Sequence, residues 1–362
     1  MRNIVLVATR KGLFKYNVDD AGQRWRLESN DFLGAPVSMV LASKQREDWY
    51  AASDHGHFGV KLHRSEDQGK TWREIAVPSY PVAPEGESGA SLSLIWSMEY
   101  AGKSQAQGLW AGTIPGGLFH SNDGGESWDL NHALWNCKER IQWAGGGYDD
   151  PGIHSICVDP EDDAHISLAV STGGVWATFD NGETWANRAQ GMRAAYMPPE
   201  KQYDPNFQDV HCMVHCPAKP DVFWAQHHNG IFRSTDNAQS WQEIENVSPS
   251  VFGFAVAVHP NDADTAWFVP GVKDECRIPV DGKLVVTRTR DGGKSFESLA
   301  QGLPDEPSYD LVYRHGLDID ASGNQLIMGS TTGNLWFSAD QGEHWQCISN
   351  YLPPIHCVRF VK

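Results

Sequence analysis

The octad Ser121-Asn122-Asp123-Gly124-Gly125-Glu126-Ser127-Trp128 decides the fold, because five further copies follow or precede it along the chain. They stand at 65–72 (SEDQGKTW), 178–185 (TFDNGETW), 234–241 (STDNAQSW), 289–296 (TRDGGKSF) and 338–345 (SADQGEHW), roughly 55 residues apart. A degenerate copy occupies 17–25, one period upstream. Each octad is a turn formula. The aspartate accepts hydrogen bonds from the turn backbone, the glycine permits a positive φ, and the aromatic packs between adjacent sheets. The recurring Asp67, Asp123, Asp180, Asp236, Asp291 and Asp340 are therefore expected to be structural. Ala238 replaces the glycine and His344 the hydroxyl residue, which predicts two irregular turns.

Working outward from each octad, two short strand-like runs lie upstream, such as 108–113 then 117–120, or 222–226 then 230–233. An apolar run precedes each pair: Val37 to Ala42, Trp96 to Ala101, His154 to Asp159, His211 to Cys216, Phe254 to His259 and His315 to Asp320. The seventh such run, His356 to Val361, falls at the C-terminus, while the N-terminus opens on a second-strand pattern, Asn3 to Thr9. The C-terminal strand is thus predicted to complete the first blade and close the ring, which removes exposed edges. The prediction is an all-β chain, a single seven-bladed β-propeller of four-stranded antiparallel blades over 1–362.

The remaining composition agrees. The 362 residues include 15 Trp, 35 Gly and 20 Pro, which favours short strands and tight turns over long helices. A net charge of −17 repels phosphate backbones and anionic lipid, so neither a nucleic-acid nor a membrane partner is expected. No apolar leader opens the chain, and the seven cysteines fit reduced thiols, so a cytoplasmic protein is expected. In the run His211-Cys212-Met213-Val214-His215-Cys216, strand alternation sends neighbours to opposite faces, which argues against one shared metal.

The pattern S/T-x-D-x-G-x-S/T-W/F resembles the BNR/Asp-box repeat of the sialidase superfamily. More specifically, the chain resembles bacterial cytosolic BNR-repeat proteins labelled glycosyl hydrolases or exo-α-sialidases. That likeness rests on Thr9 to Phe14, Pro151 to Ile156, Asp209-Val210-His211, Gln226 to Arg233, and Phe252 to Phe254 with His259-Pro260. It implies one shared top-face site that groups His154, His211, Gln226, His228, Arg10 and Arg277, without specifying its substrate.

Topology places that site on the top face, where the inner strands begin, because the octad turns fall at the bottom and the long connections all lie opposite them. Arg10, Arg277 and Arg314 are candidates to grip a carboxylate, as an arginine triad does in sialidases, with Trp96, Trp143 and Gln226 also lining the site. Acid–base or nucleophilic candidates are His154, His211, Asp149, Asp310 and Tyr309, with Tyr148 also near by. The ligand is expected to be small and anionic or derived from carbohydrate. An alternative assigns His154, His211, His228, His315 and His356 to a divalent transition metal (Zn, Mn, Fe or Cu) serving a lyase, hydrolase or oxygenase. A third reading is a non-catalytic interaction scaffold.

Overall fold

The computed structural model describes residues 4–18, 24–43, 45–83, 86, 88–305 and 307–361. Within them, seven sheets of four antiparallel strands form a β-propeller. Blade 1 is built from Ile355–Phe360, Ile4–Thr9, Gly12–Val18 and Trp25–Asp31, in that order from the channel outward. The C-terminal strand pairs with the N-terminal one, Val358 opposite Val7 and Phe360 opposite Val5, and so closes the ring. The inner strands of blades 2 to 7 are Val37–Leu41, Leu94–Tyr100, Ile153–Val158, Val210–Cys216, Gly253–His259 and Leu317–Ile319.

The octads fold into one repeated turn. In the copy at 65–72, Ser65 Oγ donates to Asp67 Oδ1 and accepts from the Gly69 N–H, each at 2.8 Å. Asp67 then accepts from the Thr71 N–H at 2.9 Å and from Thr71 Oγ1 at 2.7 Å. Trp128 and Trp241, which end two of these turns, reach back to the preceding blade, Trp128 Nε1 to the Ala76 carbonyl at 3.1 Å and Trp241 Nε1 to the Arg188 carbonyl at 2.8 Å. The degenerate copy at 17–25 lies partly outside the described residues.

The two departures from the formula do not produce irregular turns. Ala238 donates its N–H to Ser234 Oγ at 3.0 Å, as the glycines do, and His344 Nδ1 takes the hydroxyl's place on Asp340 Oδ2 at 2.7 Å. The hydrogen-bond pattern outweighs the preference of the individual residue. Ala238 nevertheless sits at φ 57°, the left-handed region. That conformation costs an L-residue about 1–2 kcal/mol, against roughly 0.8 kcal/mol for the buried methyl group. Ala238→Gly is accordingly expected to stabilise the protein by about 0.5–1 kcal/mol in denaturant titration.

Hydrogen bonds also set the acid response. Bonds from the Thr71 backbone, Ser127, Thr178 and Ser295 pull Asp67, Asp123, Asp180 and Asp291 from the usual 3.8 down to about 2. A carboxyl whose pKa is depressed on folding stabilises the fold fully above its unfolded value and loses that contribution as pH falls through the folded value. Melting temperature should hold down to about pH 4 and decline towards pH 2. An unchanged melting temperature across that window would contradict this account of the turns.

Between blades the core is aromatic. Trp49, Trp110, Trp224 and Trp267, all on second strands, are fully buried. All seven cysteines are free thiols. No helix among the described residues is long and apolar enough to cross a membrane.

Candidate functional site

The inner strands begin with a shared irregularity. Register shifts fall at Ser38, Trp96, His154, His211, after Gly253 and at His356. Such a bulge re-aims one side chain at the head of each strand. The equivalent position in blade 2 is therefore Ser38 and not Val37, because the bulge adds a residue that end-alignment of the runs cannot register. In blade 7 the position is taken by the segment Tyr313-Arg314-His315.

Most of these bulge residues stitch the ring together. His356 Nδ1 donates to the Val37 carbonyl at 3.0 Å and His211 Nδ1 to the Gly253 carbonyl at 2.7 Å, each on the next blade. His154 faces the Val210 carbonyl in the same way and bonds Ser155 Oγ at 2.9 Å. His315 Nε2 reaches across to the His154 carbonyl at 2.8 Å. Burial lowers the pKa of all four, His211 to about 4 and His315 to about 3. The expected ring of four convergent metal-binding histidines is thus not what the fold builds. Each commits one ring nitrogen to a neighbouring carbonyl, while His154 Nε2 is buried without a partner and His211 Nε2 faces Asp209.

Arg314 dominates the mouth. Its guanidinium lies 4.6 Å from the centre of the Trp96 ring and 5.6 Å from that of Phe254, so aromatic faces cover it from two directions. Stacking uses the faces of a guanidinium and leaves its in-plane N–H groups unspent. Accordingly, the buried Nε and Nη2 have no hydrogen-bond partner. Arg314 is 7% exposed, and burial lowers its pKa despite the attraction of Asp209. Arg277, from the long loop of blade 6, lies 5.3 Å from the same Phe254 ring. It donates to the Tyr313 hydroxyl at 3.3 Å and to Asp274 Oδ1 at 2.6 Å. Tyr148, on the loop entering blade 4, packs edge-on against Trp96 with ring centres 5.1 Å apart.

Beside Arg314 a second group gathers. His228 Nδ1 is 3.2 Å from Asp209 Oδ2, and His211 Nε2 is 3.9 Å from the same oxygen. His211 stacks on Phe254 at 4.4 Å. Burial alone would raise the pKa of Asp209, but the His228 hydrogen bond and the nearby His211 and His227 hold it well below the usual range. The bond to Asp209 in turn raises His228 against the effect of its own burial.

Other expected site residues lie elsewhere. Asp310 is buried and bound by Ser308 Oγ and Ser330 Oγ at 2.6 Å, Asn334 Nδ2 at 2.9 Å and Thr332, so it holds the blade 7 loops together. Tyr309 beside it is 67% exposed. Asp149 is exposed on its loop, and Arg10 is exposed near His356 without joining Arg277 and Arg314. Trp143 packs against Trp176, ring centres 5.6 Å apart, inside the core between blades 3 and 4. Gln226 Nε2 is consumed by the carbonyls of His227, Gly230 and Val251. Asp209, Tyr313 and Asp274 join the site without having been singled out. Asp209 precedes the strand and His211 sits on its bulge, so strand periodicity could not have paired them.

Below Arg314 the channel widens to a cavity of about 760 Å³, which runs past Glu99, Asp318 and Arg359 to the bottom turns at Lys103, Pro160 and Asn261. Its charges answer one another. Arg359 lies 3.7 Å from Glu99, and Asp318 Oδ2 accepts the Phe360 N–H at 2.8 Å. Arg314, with Nε and Nη2 unpartnered, lines this cavity beside His154, whose Nε2 is also without a partner.

No family model and no curated protein matches the chain. Solved structures do. A protein from Lactobacillus plantarum aligns with a TM-score of 0.64 at 10% identity, covering 100% of both chains. An ancestral GH74 enzyme aligns with a TM-score of 0.61 at 15% identity, covering 90% of this chain and 38% of its own, so this chain spans well under half of that one. YCF48 bound to a D1 peptide aligns with a TM-score of 0.52 at 14% identity over 86% of this chain and 81% of that chain. At such identities the likeness is one of fold alone, shared with a GH74 enzyme and with a peptide-bound protein.

Proposed function

We propose that the protein binds a small carboxylated ligand, an acidic sugar being the leading class, at the top mouth of the channel through Arg314. The observation that carries this reading is the guanidinium itself, buried between Trp96 and Phe254 with Nε and Nη2 unpartnered. A buried cation without a contacting counter-ion costs several kcal/mol, of which cation–π contacts return only about 1–2 kcal/mol each. A ligand carboxylate accepting two parallel N–H bonds would supply the remainder. Arg277 reaches the same Phe254 ring and donates to the Tyr313 hydroxyl, which extends the polar rim. An enzyme and a peptide-bound protein share this fold, so fold does not choose between catalysis and binding, and the site must.

The geometry favours binding over sialidase-like hydrolysis. That chemistry requires an activated tyrosine and a separate acid. Burial raises the pKa of Tyr148 instead of lowering it, Asp310 is occupied by four donors, and Asp149 is exposed. Calorimetric titration with N-acetylneuraminate, glucuronate and galacturonate, set against glucose and N-acetylglucosamine, tests the reading. Saturable binding of acids but not of neutral sugars is expected. Failure of every acid to bind, or equal binding of acids and neutral sugars, would remove it.

A further inference from the structure

We propose that Asp209, His211 and His228 form a site for one divalent first-row transition-metal ion, with its open coordination positions turned towards Arg314. Asp209 Oδ2, one nitrogen of His211 and one of His228 all lie within 4.8 Å of one another. Ligand atoms around such an ion at about 2.1 Å are spaced roughly 3 Å apart, so small ring rotations bring the three into place. Two imidazoles and one carboxylate on one side of an ion leave the opposite positions free for a ligand.

Hydrogen bonding gives the strongest argument. The His211 Nδ1 proton is committed to the Gly253 carbonyl at 2.7 Å, an orienting bond of the kind that fixes a metal-binding imidazole. Its Nε2 therefore faces Asp209 Oδ2 across 3.9 Å. If Nε2 bears no proton, two lone pairs confront each other in a buried site. If it bears one, the proton is beyond hydrogen-bond reach of the carboxylate. A cation between them resolves either case. A second, independent observation points the same way: Asp209 is 7% exposed, yet its Oδ1 has no hydrogen-bond partner. A buried carboxylate left half-satisfied is costly unless something charged completes it. His228 contributes from the loop after the second strand of blade 5, with a half-buried ring that can admit an ion from solvent.

The orientation towards Arg314 rests on the carboxylate reading above; the metal site itself does not. His211 and both guanidiniums share the Phe254 ring, so a carboxylate on Arg314 could also reach an ion at Asp209. Metal and carboxylate would then each tighten the other's binding by the same factor.

Tag-free full-length protein, stripped with a chelator, should be titrated with Zn²⁺ by calorimetry and with Co²⁺ by visible absorption. One equivalent is expected, with a tetrahedral or five-coordinate Co²⁺ spectrum. His228→Gln and Asp209→Asn should each weaken binding at least about 100-fold while far-UV circular dichroism stays unchanged. His228→Gln is the safer of the two, because its ring is partly exposed. Arg314→Met should keep the metal. Absence of saturable binding, or binding that survives both substitutions, overturns the proposal. Carboxylate titration in the presence of chelator separates this failure from failure of the anion site.

Discussion

Arg314→Met is expected to raise the melting temperature of the protein while weakening carboxylate binding at least about 30-fold. Both effects have one cause. The guanidinium is buried between Trp96 and Phe254 with two N–H-bearing nitrogens unanswered, so the resting protein carries the desolvation cost of a cation without its counter-ion. An unbranched thioether of similar length fills the slot between the rings and contacts both favourably. Replacing buried charge by well-packed apolar groups is commonly stabilising by about 1–4 kcal/mol, and sulfur–aromatic contacts of about 0.3–1.5 kcal/mol take the place of the lost cation–π contacts. Removing one partner of a buried charged pair in the complex costs about 2–5 kcal/mol, which sets the loss of affinity. Differential scanning calorimetry and ligand titration on the same sample read both quantities. A variant that melts lower and binds acids unchanged would mean that Arg314 is a structural strut.

Ending the chain at Pro354 is expected to abolish cooperative folding. The deleted strand buries Ile355, Cys357, Val358 and Phe360, with Val361 following. At about 1.5–3 kcal/mol for each large apolar side chain, the loss approaches 10 kcal/mol before any strand pairing is considered. Net stabilities of domains are about 5–15 kcal/mol, so little or nothing remains. The deletion also exposes the edge of Ile4–Thr9, an apolar strand open to pairing with other chains. Inclusion in the insoluble fraction and loss of a sigmoidal melt are the expected readouts. A soluble truncated protein melting within a few degrees of the full chain would show that the remaining six blades suffice.

The two outcomes bear on different kinds of legibility. Ring closure could be read from residues 3–9 and 356–361, because a blade is a recurring unit and a missing inner strand at one end must be supplied from the other. The octads were readable for a related reason: every bond that defines the turn joins residues at most four apart, from Ser65 to Gly69 or Asp67 to Thr71. The site was readable only in outline. Arg314 meets Trp96, and Arg314 and Arg277 meet at Phe254, from the loop and strand heads expected to face the mouth. Trp143 lies equally far along a top loop and yet packs on Trp176, and Gln226 turns its amide into its own blade. Sequence position gives the face but not the direction in which a side chain leaves a bulge.

Composition and spacing by themselves determined the blade, the number of blades, the closure of the ring and the end at which the long loops gather. Those properties follow from contacts within a turn or between adjacent strands. Only the tertiary structure decided that His315 and His356 serve neighbouring carbonyls, that Asp209 stands between His211 and His228, and that Trp96 and Phe254 enclose Arg314. Blades 3, 6 and 7 supply that last group. Its members meet because the ring curves them onto one axis, and no local pattern in the chain encodes which side chains face each other across it.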